Sequence, residues 1–226
     1  MKPAAFDYAR PTRLAEAAAL LLEGGEDARV LAGGQSLGPM LNFRLVRPRL
    51  LIDIMHVSEL HGIHEADEAI LIGATVTHAA VEDGAVPDLG KSVLATVAAG
   101  IAYRAVRNRG TVAGSLCHAD PLADWVTALA ALDASVVTYR AGGGRAIPVA
   151  SFIRGAFHNL LEKGEGVGRR SSHPETFASG ALGMVQGMPQ ARRVCERYRR
   201  GSHRSRTRRS PRRHGCDWRP SAGPLR

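Results

Sequence analysis

Hydrophobic positions along the first 160 residues switch repeatedly between the helical and the extended period. Leu14, Ala17, Ala18, Leu21 and Leu22 recur three and four apart, which predicts an amphipathic helix over 13–23. Thr12 stands where an N-cap is expected, and Gly24-Gly25 stands where such a helix ends. A short apolar strand is predicted over 29–32, a helix over 37–45 that closes before Pro48, and a buried strand at Leu50-Leu51-Ile52-Asp53-Ile54. Strand, helix and strand within about 25 residues form a compact βαβ unit, for which a right-handed crossover is expected.

The alternation continues. A strand is predicted over 69–74, and a short helix capped by Thr77 runs to Val81. Leu89, Val93, Val97 and Ile101 place an amphipathic helix over 89–102, and residues 122–132 read as helical again. Strands over 135–139 and 145–148 make a hairpin across Gly142-Gly143-Gly144, and Phe152 and Gly155 begin a further helix or turn. The pattern implies an α/β (α+β) protein with one subdomain over 1–55 and a second over 56–164. From about Glu165 no period persists. A run such as Arg204-Ser205-Arg206-Thr207-Arg208-Arg209 buries too little apolar surface to offset chain entropy, so 165–226 is expected to be disordered.

Charge sharpens that boundary. The chain of 226 residues has a formal net charge of +9, which taken whole suggests a nucleic-acid partner. Residues 165–226 hold 15 arginines against 4 acidic residues, whereas residues 1–164 hold 15 basic against 17 acidic ones. The excess belongs to the tail, and the folded part is mildly acidic. No run of about 18 apolar residues offers a transmembrane helix. The first residues lack the apolar core of a signal peptide, so a cytoplasmic location is expected. Cys117, Cys195 and Cys216 form no C-x-x-C pair. Neither a disulfide framework nor a self-contained iron–sulfur cluster, which takes four thiolates, is expected.

Two glycine turns carry the candidate chemistry. Ala32-Gly33-Gly34-Gln35-Ser36-Leu37 joins a strand to a helix. Its glycines permit positive φ and close approach, and Ser36 is placed to cap the helix. Such a turn offers free N–H groups to a phosphate. Alone the signal is weak, but Thr111-Val112-Ala113-Gly114-Ser115 repeats the design, preceded by Arg107 and Arg109. Two such turns, one in each subdomain, suit a diphosphate. Neither is a G-x-G-x-x-G or Walker A motif.

With Leu51-Ile52-Asp53-Ile54, with Ile72-Gly73-Ala74-Thr75-Val76-Thr77-His78, and with His118-Ala119-Asp120-Pro121-Leu122-Ala123-Asp124, these turns resemble the FAD-binding medium subunit of molybdenum hydroxylases. The similarity is to the medium subunit of aerobic carbon monoxide dehydrogenase and the FAD-binding subunit of the xanthine dehydrogenase family. It runs from Phe6 to about Gly164. It implies a two-subdomain FAD-binding fold of the vanillyl-alcohol oxidase and para-cresol methylhydroxylase type, here incomplete. It implies that Ala32, Gly33, Gly34, Gln35, Ser36 and Leu37 wrap the FAD pyrophosphate together with Thr111, Ala113, Gly114 and Ser115. Asp124 matches a carboxylate that hydrogen-bonds the cofactor, with capping or solvating its helix as the alternative. Ile101 and His118 fall at positions that also line the site. The implied partners are a molybdenum-cofactor large subunit and a [2Fe-2S] small subunit, with no nucleic acid and no membrane span. Through such a complex the chain, though cytoplasmic, can lie at the inner face of the membrane. Electrons would then pass from the clusters through FAD to an external acceptor.

No catalytic base is implied, because the cofactor carries the redox chemistry. His118 and Asp120 make a poor metal pair at i, i+2, and Cys117 reads as a small buried filler. Two departures stand out. Ala113 replaces a usual glycine, a strain of about 1 kcal/mol if its φ is positive. After Glu165, Gly166-Val167-Gly168-Arg169-Arg170 replaces an apolar strand, for which a reading-frame shift is the expected cause. Two other readings stay open at this point: a truncated, inactive fragment of the subunit, and a nucleic-acid-binding protein acting through its arginines.

Overall fold

The computed structural model describes residues 2–66, 69–86, 91–140, 144–162 and 183–186. A first sheet has the order β1-β3-β2, from β1 (Asp7–Ala9), β2 (Ala28–Leu31) and β3 (Leu50–Asp53). Both pairings are parallel, with Val30 opposite Ile52 and Tyr8 opposite Leu51. Parallel strands need a crossover, which α1 (Leu14–Gly24) and α2 (Leu37–Asn42) supply. Helix α1 buries Leu14, Ala17, Ala18 and Leu21, as its spacing requires, and leaves Leu22 exposed.

Its cap differs from the expectation. Arg13 occupies the N-cap position with no side-chain bond, and Thr12 instead gives its backbone N–H to the Glu16 carboxylate at 3.2 Å. The orphan N–H of Leu14 donates to Glu59, 45 residues away, also at 3.2 Å. A distant carboxylate therefore does what the local hydroxyl does not.

The second sheet is antiparallel throughout, in the order β4-β5-β10-β6-β7. Its strands are β4 (Ile63–Ala66), β5 (Ala69–Ile72), β6 (Ala134–Val137), β7 (Ala146–Pro148) and β10 (Gly183–Gln186). The hairpin expected from the glycine run is present in β6 and β7, while residues 141–143 at its tip lie outside the described residues. Strand β10 falls within 165–226, the stretch whose composition reads as disordered. Gly183 to Gln186 pair with Val137 to Ala134 on one side, and Met184 and Val185 with Ile72 and Leu71 on the other. A four-residue strand suffices there because both neighbours present unpaired ladder groups. The rest of 165–226 lies outside the described residues.

Among the described residues six further α-helices stand between the strands: α3 (His78–Glu82), α4 (Lys91–Gly100), α5 (Arg104–Arg107), α6 (Val112–His118), α7 (Asp124–Ala131) and α8 (Val149–Phe152). In α4 the fully buried positions are Leu94 and Ala98, with Val93, Val97 and Ile101 only packed against their edge. The stripe is thus turned one residue from the one the sequence pattern selects, and Leu89 lies outside the described residues. A small hairpin, β8 (Ile153–Gly155) and β9 (His158–Asn159), follows α8. One core joins these parts, from Leu14 and Ile52 to Leu116, Trp125, Leu129 and Phe152. Among the described residues no helix is long and apolar enough to cross a membrane.

Candidate cofactor-binding site

The two glycine turns meet. A methyl group built on Gly33 would fall 1.9 Å from the carbonyl oxygen of Arg109 and 2.7 Å from the α-carbon of Gly110. No side chain fits there, so the backbone of the first turn rests directly on the residues leading into the second. Gly34 adopts φ 70°, the left-handed conformation that turns the chain from β2 into α2. The Gln35 side chain donates to the Gly33 carbonyl at 2.9 Å and closes the turn on itself.

Ser36 does not cap α2. It sits at the N-cap with φ −100° and ψ −49°, a helical conformation that turns its hydroxyl from the capping position, and it makes no side-chain cap bond. Its exposed hydroxyl is left for another acceptor or donor. Within this turn the backbone N–H groups of Gly33, Gly34, Gln35, Ser36 and Leu37 donate to no acceptor among the described residues. Buried or half-buried N–H groups are normally paired. These five consecutive N–H groups are open among the described residues, on a turn that is half-buried except at Ser36.

The second turn is built differently. Thr111 is buried, and its hydroxyl accepts from Gly114 N–H at 3.0 Å, so it caps α6 and is spent internally. Gly114 is needed there because a methyl group would come within 2.8 Å of that hydroxyl. Ala113 lies in the first turn of α6 and is not among the residues with positive φ. Its methyl is buried in the core. The strain expected of it therefore does not arise, because the position needs a helical φ. The Ala113 N–H has no acceptor among the described residues, and the half-buried Ser115 hydroxyl makes no hydrogen bond among them. Like the first turn's N–H groups, these two are open among the described residues.

The arginines divide. Arg107, expected to add positive charge, gives two bonds to Glu82 at 2.8 and 2.9 Å and two to the carbonyls of Ile101 and Ala102 at 2.9 and 3.1 Å. Its charge is balanced, and its role is to pin the residues after α4. Arg104 joins Glu82 and Asp83 in the same network. The Arg107 bonds to Glu82 and the Arg104 bonds to Asp83 hold the two carboxyls below the usual carboxylate range. Arg109 is exposed and has no ion-pair partner among the described residues.

Of the other expected site residues, Ile101 is half-buried with its carbonyl fixed by Arg107. His118 packs its ring on Phe157 at a centroid distance of 5.1 Å, while Asp120 accepts from Leu122 N–H at 2.9 Å. Asp124 opens α7 with an exposed carboxylate that has no partner among the described residues. Cys117 packs against the core, and burial pushes its thiol up to about 12, so it stays protonated and inert at neutral pH.

Two residues not expected among the site residues lie beside this arrangement. His78, the first residue of α3, gives its backbone N–H to the Gly110 carbonyl at 2.9 Å. Its ring accepts at Nδ1 from the Trp125 indole N–H at 3.0 Å. Desolvation, aided by the Arg107 charge, lowers the imidazole to about 4, so it is neutral. The two residues are 47 positions apart, and no sequence pattern joins them.

Residues 4–168 match the family described as FAD binding domain in molybdopterin dehydrogenase. The chain is 42% identical over 165 residues to the 6-hydroxypseudooxynicotine dehydrogenase complex subunit alpha of Paenarthrobacter nicotinovorans, covering 73% of this chain and 56% of that one. It is 38% identical to the carbon monoxide dehydrogenase medium chain of Hydrogenophaga pseudoflava, covering 73% and 58%. In structure it is similar to a carbon monoxide dehydrogenase from Hydrogenophaga pseudoflava that lacks the Mo-pyranopterin moiety of its molybdenum cofactor. There the TM-score is 0.73 at 34% identity, over 83% of this chain and 61% of that one. The chain thus spans a little over half the length of the curated relatives it matches. By this match and this fold, the chain belongs to the family of FAD-binding domains of molybdopterin dehydrogenases.

Proposed function

We propose that residues 32–37 and 111–115 hold the diphosphate of FAD between them, and that the chain serves as the flavin-carrying subunit of a molybdenum hydroxylase. The observation that carries this is the seating of Gly33 on Arg109 and Gly110, which leaves two sets of unpartnered donors on adjoining turns. The N–H groups of Gly33, Gly34, Gln35 and Ser36 would donate from one side, and the Ala113 N–H and Ser115 hydroxyl from the other. Backbone donors fixed before the ligand arrives need no reorganisation to bind an anion. Exposed Arg109 would add long-range attraction for a doubly charged diphosphate. Asp124 would accept from a hydroxyl of the cofactor, and Ile101 and His118 would border the site.

When bound, FAD supplies the electron transfer that links the [2Fe-2S] clusters of a small subunit to an external acceptor. Substrate oxidation would belong to a molybdenum-containing large subunit, in keeping with the complexes and medium chains named among the relatives. The work of this chain is to bind and orient the flavin.

The test is purification of the full chain followed by an absorbance spectrum and titration with FAD. Uptake of one FAD per chain, with flavin bands at about 370 and 450 nm, is expected. A colourless protein that takes up no added FAD would overturn the reading.

A further inference from the structure

Resting on the diphosphate site just described, we propose that His78 is a positioning residue for it: wedged between Trp125 and Gly110, it sets how closely the second turn is held against the first. Three contacts carry this. The His78 backbone is tied to the second turn by its N–H bond to Gly110, and Val112 returns a bond to Val76 at 3.2 Å, so Thr77 and Thr111 form a strand-like bridge. The imidazole edge then lies on Gly110, where a methyl group would be 2.9 Å from both Cδ2 and Nε2. Gly110 in turn lies against Gly33. The ring therefore connects Trp125 to Gly110, and the Gly110 backbone carries the contact on to Gly33.

The ring itself is fixed. Trp125 is fully buried, its ring is inclined at 28° to the imidazole with centroids 6.0 Å apart, and its indole N–H can only donate. An imidazole that accepts at Nδ1 and is neutral carries its proton on Nε2, so tautomer and orientation are set together. Trp125 also follows Asp124 directly at the start of α7, so the same ring ties a candidate cofactor contact to both turns. A close-packed interior transmits a displacement of one layer to the next. Loss of the imidazole should let Gly110 relax away from Gly33 and misplace the donors of both turns.

Two variants of the full chain test this. His78→Asn keeps an acceptor for Trp125 but removes the ring edge from Gly110. Trp125→Phe keeps the imidazole but frees it to turn, and it carries the test by itself if the first variant does not fold. FAD and ADP are the probes, since ADP has the diphosphate without the flavin, and both are titrated well below the unfolding midpoint. Both dissociation constants are expected to rise by the same factor, about tenfold or more for His78→Asn and less for Trp125→Phe. A lowered midpoint with native dissociation constants for both probes would mean that His78 merely fills space, and would overturn the proposal. If the unaltered chain binds neither FAD nor ADP, the function proposed above falls and this inference with it. If it binds both and the variants bind as tightly, this inference alone falls.

Discussion

Gly33 and Arg109 are in backbone contact so close that a methyl group on Gly33 would lie 1.9 Å from the Arg109 carbonyl oxygen. Through this contact the two turns adjoin. Gly33→Ala must push them apart, and overpacking of this kind typically costs about 1–3 kcal/mol. Because the displaced atoms border the proposed diphosphate site, FAD affinity should fall more steeply than stability alone would suggest. Thermal unfolding with and without FAD checks both. A native affinity in Gly33→Ala would show that the turns do not act together.

Arg107 and Arg104 share Glu82 but should not matter equally. The Arg107 side chain is 11% exposed and also holds two carbonyls, whereas that of Arg104 is 47% exposed. Lysine cannot reproduce the planar fork that spans Glu82 and the two carbonyls. Arg107→Lys should destabilise by on the order of 1–3 kcal/mol, as loss of half-buried charged hydrogen bonds does. Arg104→Lys should change little, since exposed pairs are screened. Denaturant midpoints of the two variants give the comparison, and equal losses would contradict it.

These contacts also explain what the sequence could and could not reveal. The βαβ unit is legible because parallel strands such as Leu50–Asp53 are continuous apolar runs and glycine punctuates the turn between them. Thr77 was readable as a cap because the bond is local, to Ala80 N–H. Strand Asp7–Ala9 escapes because three residues at a sheet edge, with Tyr8 half-exposed, carry no alternation to detect. The role of Arg107 escapes for another reason. An arginine near a glycine turn looks like a phosphate ligand, and its acidic partner lies 25 residues earlier. Ser36 shows the limit of cap reading, since residue type does not settle whether the backbone adopts the capping conformation. Of the candidate site, the two turns were legible and the ring that joins them was not.

His78 makes stability depend on pH. Its imidazole titrates at about 4 in the folded chain and near 6.5 when unfolded. Between those values the unfolded chain binds a proton that the folded chain does not, so stability rises with pH there and is lost as pH falls. Above about 6.5 neither state is protonated and the effect vanishes. The loss accumulates at up to about 1.4 kcal/mol per pH unit, reaching on the order of 3 kcal/mol by pH 4. Denaturation curves at intervals from pH 7 to pH 4 should show this slope, and His78→Asn should flatten it. An unchanged slope in the variant would assign the acid sensitivity to other groups.

Ala113 makes the final test, because it separates the helix from the cofactor. A glycine at this position would lose a methyl group from the core and add backbone freedom to α6. Both changes act against folding, and Ala→Gly within a helix costs roughly 0.5–1 kcal/mol. If the methyl group crowded the diphosphate, the same substitution would tighten FAD binding. The buried position of Ala113 and its helical φ argue that it does not. Ala113→Gly should therefore lower the unfolding midpoint by a few degrees and leave the FAD dissociation constant unchanged or slightly raised. A clear gain in FAD affinity would instead mean that the Ala113 methyl group intrudes on the cofactor after all.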